Sequence, residues 1–411
     1  DRRVILWDAK SGDAVREFSG HRNTVYGLAF SERHGEPGAA PLLIAGGFDR
    51  TLRVWDTDST ATVRLLQGHD AAVNGIAVHG DQLYSASSDG TVRRWDLSLP
   101  YQRLLDLGAE PASVAVSPNG RLLSVGFANG GLSIYSLPGL SMVWHTDLAH
   151  GEEVQRQAFS ADGSLLATGG FDTVARTWRV LPGGALEPLR TLTGHHDAVH
   201  DVAFSPDASI LATAGYDGRI GLFDTNSGAA SFIESMGRGQ VLSVAFDPGG
   251  QLVFAANRDD GKIGVWDIMR DPPLLIRDLE VSRDLLMWAE PDADGRQLAA
   301  VGRDYVISVL DASDGTRRYL LPGHENAVFK ARYLFGGGQL ATVSVDATVR
   351  LWDLATETEL FALRLPTGQG PPSPLWDFDM RCTATGCWLA VPLTRGKLAL
   401  YNLGNTGVPT P

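Results

Sequence analysis

The sequence predicts an all-β chain, a bladed propeller of about nine to ten repeats with four short antiparallel strands in each blade. Three observations predict it. First, one phrase recurs, in which alternating apolar residues lead to an aromatic and then usually to Asp. It reads ILWD at 5–8, RVWD at 53–56, RRWD at 93–96, GLFD at 221–224, GVWD at 264–267 and RLWD at 350–353, with weaker copies SIYS at 133–136, RTWR at 176–179, SVLD at 308–311 and ALYN at 399–402. Second, the last residues of these ten copies are spaced by 48, 40, 40, 43, 45, 43, 44, 42 and 49, and a fixed period of this size marks a repeat architecture. The two longest intervals carry loop insertions, ERHGEPGAAP at 32–41 and PTGQGPPSP at 366–374. Third, the 47 glycines and 21 prolines are spread along the chain instead of pooling in linkers, as many short strands joined by tight turns require.

Taken in order, the chain opens on a third-strand phrase, VILWD at 4–8, and a fourth strand, AVREF at 14–18. Nine three-strand units follow, with further fourth strands such as TVRLLQ at 62–67 between them. The unit at 194–224 is representative: Gly194-His195, then VHDVAFS, Pro-Asp, SILATAGYD and GRIGLFD. Its three stretches alternate with period two and are broken by turn residues, so they read as strands. SPNG at 117–120, SADG at 160–163 and DPGG at 247–250 fit hairpin connections. No stretch carries a convincing amphipathic helix.

The strand count bears on domain organisation. Nine blades exceed the usual four to eight, and closing the last unit with 14–18 leaves 4–8 over. The expected arrangement is therefore two rings. Residues 1–98 supply the terminal blades of a first propeller, and residues 99–411 form a seven-bladed one closed by YQRLLDL at 101–107. An eight-bladed second ring or one large ring are the alternatives.

Composition bounds the function. With 35 Lys+Arg against 48 Asp+Glu, the net charge of −13 disfavours a grip on nucleic acid or an anionic membrane. Apolar runs fall well short of the ~18 residues a membrane span needs. Two cysteines, Cys382 and Cys387, are too few for a secreted disulfide scaffold and suggest a reducing, cytoplasmic compartment. They flank a four-residue turn, and that compartment favours free thiols over a disulfide. Residue 1 is Asp in place of Met, which suggests that the true start lies upstream.

These residues resemble the WD40 repeat family over nearly the whole chain. Gly-His, the Asp before the final strand and the Trp-Asp close all recur in phase, best at 68–96 and 323–353. The resemblance implies a buried hydrogen-bonded tetrad of His, Ser/Thr, Asp and Trp in each complete blade. By position these are His69, Ser85, Asp89, Trp95; His150, Thr168, Asp172, Trp178; His195, Thr213, Asp217, Phe223; and His324, Thr342, Asp346, Trp352. The blade ending at Trp55 keeps His21 and Asp49 but has Ala45 at the hydroxyl position, and Phe223 lacks the indole N–H. Repeats ending near 136, 267, 311 and 402 lack the His, so apolar packing is expected to close them. A Ser/Thr, His and Asp also suggest a hydrolase triad, yet recurrence in repeat phase favours the structural tetrad.

The resemblance further implies that the residue before each turn Asp and the residue at each first-strand bulge face the narrow end, where partners dock. The pre-Asp set is Phe48, Ser88, Ala128, Phe171, Tyr216, Asp259, Arg303 and Val345, and the bulge set is Tyr26, Asn74, Ala112, Gln155, His200, Leu242, Asp284, Phe329 and Trp376. Large aromatics ringed by polar groups suit a protein interface, so the partner-binding rim is expected at Tyr26, Phe48, Phe171, His200, Tyr216, Asp259, Asp284, Arg303, Phe329 and Trp376. His196 and His200 lack an evident third metal ligand, and Asp292-Ala-Asp294-Gly295 imitates a calcium loop in a hairpin slot. No catalytic residue, metal or cofactor is expected. The expected function is a non-catalytic interaction or sensing module that docks a protein or peptide and regulates an effector domain, either N-terminal in the same chain or in an associated one. Low Lys and abundant Ala, Leu, Gly and Arg resemble the propeller arrays of larger prokaryotic signalling proteins. The rival readings are a structural scaffold and a propeller enzyme, the latter needing a unique polar cluster at the axis.

Overall fold

In the computed structural model, residues 2–31, 41–58, 62–66, 69, 71–80, 82–97, 102–235, 239–282, 284–334, 337–365, 375–383 and 386–402 are described. Apart from Pro41, both loop insertions lie outside them, as does Tyr101 of the expected closing strand. Every regular element among the described residues is a β-strand apart from one isolated helical turn residue at Gly337. The chain divides into two compact units, one formed chiefly by Asp1–Gln102 and the other by Arg103–Leu360 and Leu365–Tyr401.

In the first unit, β1 (Val4–Trp7) pairs with β2 (Ala14–Phe18). A four-stranded sheet follows, of β3 (Val25–Ser31), β4 (Leu42–Gly47), β5 (Leu52–Asp56) and β6 (Thr62–Leu66), and then a three-stranded one of β7 (Val73–His79), β8 (Gln82–Ser87) and β9 (Val92–Asp96). Its core is made by β4 and β5: Ile44, Leu52, Val54 and Trp55 are buried. The first strand differs. Tyr26, Leu28 and Phe30 on β3 are 51%, 56% and 53% exposed.

The second unit consists of seven four-stranded sheets in a closed circuit. After β10 (Gln102–Asp106) come β11–β14 (Pro111–Val116, Leu122–Phe127, Leu132–Ser136, Met142–Thr146) and β15–β18 (Val154–Phe159, Leu165–Gly170, Ala175–Val180, Leu186–Leu192). Next are β19–β22 (Val199–Phe204, Ile210–Gly215, Arg219–Asp224, Ala230–Glu234) and β23–β26 (Val241–Phe246, Leu252–Asn257, Lys262–Asp267, Leu274–Glu280). Then follow β27–β30 (Leu286–Pro291, Gln297–Gly302, Ile307–Asp311, Arg317–Leu321) and β31–β34 (Val328–Leu334, Gln339–Ser344, Thr348–Asp353, Thr358–Arg364). The last sheet is β35 (Asp379–Thr383), β36 (Gly386–Leu393) and β37 (Lys397–Asn402), with β10 as its outer strand in the order β10-β37-β36-β35. This sheet therefore joins the two ends of the unit.

The first strands follow one another around the axis, and β35 and β36 return to β11. In this unit the second strands lie between neighbouring sheets, so both their faces are buried. ILATAG at β20 and QLATVS at β32 are therefore largely apolar or small instead of alternating. The turns between first and second strands are held locally: the Ser205 and Ser209 hydroxyls both donate to Asp207, whose Oδ1 also accepts from the Ser209 N–H at 3.0 Å. Asp292 closes the same kind of turn, accepting from the Arg296 and Gln297 N–H groups at 2.7 and 3.0 Å.

The cysteines require a correction. Cys382 and Cys387 are bonded to each other and are not free thiols. Their register explains it: they are direct partners across the β35–β36 hairpin, with Cα atoms 3.9 Å apart.

Candidate functional site

One polar network and one series of bulges recur through the sheets, and a buried polar cluster forms where the first strands of the second unit meet. The first is the tetrad. The Gly before His195 and the Gly before His324 take a positive φ, 132° at Gly194 and 155° at Gly323, turning the chain so that the imidazole enters the blade, whereas His150 follows Ala149. At His324 the Nδ1–H donates to Asp346 at 2.8 Å, Nε2 accepts from Thr342 Oγ1 at 2.8 Å, and Trp352 Nε1–H donates to Thr342 at 2.9 Å. His69 makes the same set with Asp89 and Ser85, each at 2.7 Å, and Trp95 reaches Ser85 at 2.7 Å. His150 does so with Asp172 at 2.7 Å and Thr168 at 2.8 Å, and Trp178 reaches Thr168 at 3.1 Å. His195 bonds Thr213 at 2.7 Å and Asp217 at 3.0 Å, while Phe223 contributes packing only.

Burial lowers the pKa of His150, His195 and His324 and outweighs the Asp beside each, so the rings are neutral. Burial works upward on Asp172 and Asp346, but bonds from the His, from backbone N–H groups and from Arg176 or Thr348 hold both carboxyls far below the usual range. An ionised Asp and a neutral, fully bonded His form a fastener with no free nucleophile. Sequence reasoning overlooked an accompanying cation. Arg176 donates to Asp172 at 2.8 Å and Arg350 lies 3.7 Å from Asp346, each four residues after its Asp, while Arg219 reaches Asp217 from two residues on.

The second system is the series of first-strand bulges. Register shifts leave Tyr26, Asn74, Ala112, Gln155, His200, Leu242, Met287 and Phe329 unpaired. In the β27–β28 pair the bulge is therefore Met287, three residues beyond the Asp284 expected there. Leu286 faces Gly302 and Trp288 faces Val301, which leaves no partner for Met287. Asp284 is exposed and accepts from the next backbone N–H at 2.7 Å. Arg303 is exposed as well, and neither residue joins the rim cavity.

In the second unit six of these bulges reach a shared mouth, joined there by Trp376, which was expected as a bulge but lies ahead of β35, outside any strand. Ala112, Gln155, His200, Leu242, Met287, Phe329 and Trp376 line a cavity of about 550 Å³ together with Phe171, Tyr216, Arg156 and Arg258. Phe171 meets Tyr216 edge-on at 6.0 Å, and Phe329 meets Trp376 at 4.6 Å. Trp376 is 48% exposed. His200 is not the solvent-facing rim residue expected. It is buried, stacks on Tyr216 at 5.1 Å and donates Nδ1–H to the Leu242 carbonyl at 2.6 Å. Burial first, and then Arg156, pull its pKa down to about 3, so it is neutral. Asp259 lies in a separate, more open cleft with Tyr216, Glu234 and Arg258. Tyr26 and Phe48 belong to the first unit, where they meet edge-on at 6.3 Å.

The third system was missed entirely. In the second unit the residues after the six bulges are Ser113, Arg156, Asp201, Ser243, Trp288 and Lys330, Asp377 follows Trp376, and all seven are buried. Several tie neighbouring sheets together. Ser113 donates to the Val154 carbonyl at 2.7 Å, Asp201 accepts from the Val244 N–H at 3.0 Å, and Ser243 accepts from Ala289 at 2.9 Å. At the seam Asp377 accepts from Val114 N–H at 3.0 Å and from Lys330 at 2.7 Å, and Asp379 accepts from Val116 at 2.7 Å with Arg332 2.9 Å away. This is a single polar cluster at the axis, where the sequence had shown only repeated ones. Its carboxylates are spent on neighbouring strands. The signal was legible as polar residues inside otherwise apolar first strands.

Comparison with known proteins follows from this geometry. Six segments, residues 12–56, 60–96, 143–179, 186–224, 232–267 and 315–353, match the family model described as WD domain, G-beta repeat. Similar curated proteins include guanine nucleotide-binding protein subunit beta-5b of Danio rerio, 34% identical over 114 residues that cover 27% of this chain and 28% of that one. Subunit beta-1 of Nicotiana tabacum is 29% identical over 198 residues, 43% of this chain and 51% of that one. The beta subunit of Solanum tuberosum has the same identity and coverage. The chain thus spans about half or less of the length of these curated relatives.

Proposed function

The chain belongs to the WD40 repeat family, and on that premise we propose that it is a non-catalytic interaction module. It docks a protein or peptide at the mouth of the seven-sheet unit and regulates an effector domain in the same or an associated chain. One observation carries the reading: the mouth collects half-exposed aromatics, Trp376, Phe329, Tyr216 and Phe171, from four different sheets around one cavity. Rigid aromatics gathered in a concave, partly polar setting are what interface anchors need. Trp376→Ala and Tyr216→Ala are expected to abolish retention of the partner on immobilised protein while the melting curve stays close to that of the parent. Undiminished retention by both variants overturns the docking face.

The first unit is proposed to supply the terminal blades of another ring. Its first strand exposes Tyr26, Leu28 and Phe30, whereas the corresponding strand β23 of the second unit is almost wholly buried. Apolar surface of that extent favours being covered. Hydroxyl-radical footprinting of the natural full-length protein is expected to show these three side chains protected. Labelling at the level of free surface residues counts against a further ring.

A further inference from the structure

The cavity mouth carries two guanidiniums, Arg156 and Arg258, beside its aromatic wall. Arg156 is 6% exposed and lines the cavity floor. Its two terminal nitrogens each give a hydrogen to a carbonyl, Gln155 O at 2.9 Å and Trp376 O at 3.3 Å, so each keeps a second N–H. The nearest carboxylate, Asp377, lies 3.9 Å from Nε but is taken by Lys330 at 2.7 Å and by Val114 N–H at 3.0 Å. Arg258 lines the cavity too, bonded to the neutral Gln240 amide, with the half-exposed Asp259 carboxylate 4.0 Å from its Nε. The acids facing the cavity are weak opponents. Glu110 is committed to the Arg395 and Gly396 N–H groups, and burial raises the pKa of Glu153, which accepts from Gln155 at 2.7 Å. Imidazole protonation at His200 is opposed by Arg156, Arg258 and Lys330 together, a sign of positive potential in the mouth.

A cage of aromatics alone would suit a cation. Two guanidiniums on the wall reverse that preference. We infer that the mouth takes an acidic side chain, Asp or Glu, of a partner peptide, with its carboxylate on Arg156 and a neighbouring apolar residue against the Phe329–Trp376 pair. The hydrogen bond from Arg156 to the Trp376 carbonyl places the guanidinium beside that indole's own backbone, so both parts of the ligand are met within adjoining residues. A charge-assisted bond to a desolvated guanidinium is strong and geometrically selective, and the cavity volume suits a short peptide stretch. The inference rests on the docking reading above.

The test is selection of a randomised heptapeptide library, blocked at both ends, on the purified chain. Enriched peptides are expected to share Asp or Glu next to a bulky apolar residue. Changing that acid to its amide in the peptide, or Arg156→Gln in the protein, should weaken binding by about tenfold or more. Trp376→Ala should weaken it comparably. Should Arg156→Gln fail to fold, Arg258→Gln and the amide peptide supply the same comparison, each with a measurable loss of affinity expected. Enriched peptides that depend on Trp376 but carry no acid, or carry Lys or Arg instead, overturn the ligand chemistry and leave the docking site standing. Enriched peptides indifferent to Trp376→Ala, or no enrichment at all, overturn the docking site itself.

Discussion

Ala45 occupies the position that Ser85, Thr168, Thr213 and Thr342 hold in the other tetrads. The consequence is physical. His21 still bonds Asp49 at 3.0 Å, but His21 Nε2 and Trp55 Nε1 are buried without a hydrogen-bond partner. One hydroxyl would serve both, accepting from the indole and donating to the ring. Ala45→Ser is therefore expected to raise stability by about 1 kcal/mol or more, measured by denaturant unfolding. Asp346→Ala runs the other way, since it strips His324 and Thr348 of their common acceptor, and a loss of about 1–3 kcal/mol is expected. The pH dependence follows from the same groups. His21, His150, His195 and His324 have folded pKa values below their unfolded ones, so the unfolded chain binds protons first. Their contribution is complete above about pH 6.5 and is lost as pH falls below it, and the depressed Asp172 and Asp346 add a second loss below about pH 4. The melting temperature should fall in two stages on acidification. At this scale repeat phase makes the tetrad groups readable, because a fixed spacing aligns residues of separate strands. The arginine four residues after the Asp was equally visible but carries no meaning until the carboxylate is seen to be buried.

First strands do more than line the axis, because several residues that follow a bulge in the second unit, Ser113, Asp201 and Ser243 among them, bind the next sheet. Two buried carboxylates in that series respond oppositely to removal of charge. Asp377 neutralises Lys330, so Asp377→Ala leaves a buried ammonium without its partner, and a loss of about 3–5 kcal/mol is expected in unfolding measurements. Asp201 has no such partner: burial raises its pKa to about 7, against about 3.9 for a free carboxyl. Because the folded pKa is the higher, its contribution is present below about pH 4 and is lost as pH rises through about 7. Asp201→Asn keeps an acceptor for the Val244 N–H and removes the titration. The variant should be more stable than the parent at about pH 8, with the difference gone near pH 4. Strand positions follow from period-two alternation and turn residues. Bulges do not, because a one-residue irregularity leaves the apolar pattern on both sides intact. That is why Met287 was passed over for Asp284. The Cys382–Cys387 bond was misjudged for a related reason, since composition speaks to the compartment while strand register decides which side chains meet.

Across the whole chain, periodicity carries the all-β architecture, since ten phrases near forty residues apart admit few other solutions. The axial cluster escaped notice because its members, Arg156, Lys330 and Asp377, are scattered through the sequence and meet only once the circuit closes. That closure has a temporal side. Lys397 pairs with Asp106 across 291 residues of sequence. During synthesis β11 leaves the ribosome long before the carboxylates of Asp377 and Asp379 exist to accept from Val114 and Val116. Contacts of such sequence separation form slowly, and unpaired strand edges are open to wrong partners until they do. The nascent seven-sheet unit therefore passes through a long interval as an open arc. A ribosome stalled before residue 377 would release a chain whose sheets are nearly all present yet whose circuit cannot shut, a natural substrate for chaperones that shield strand edges.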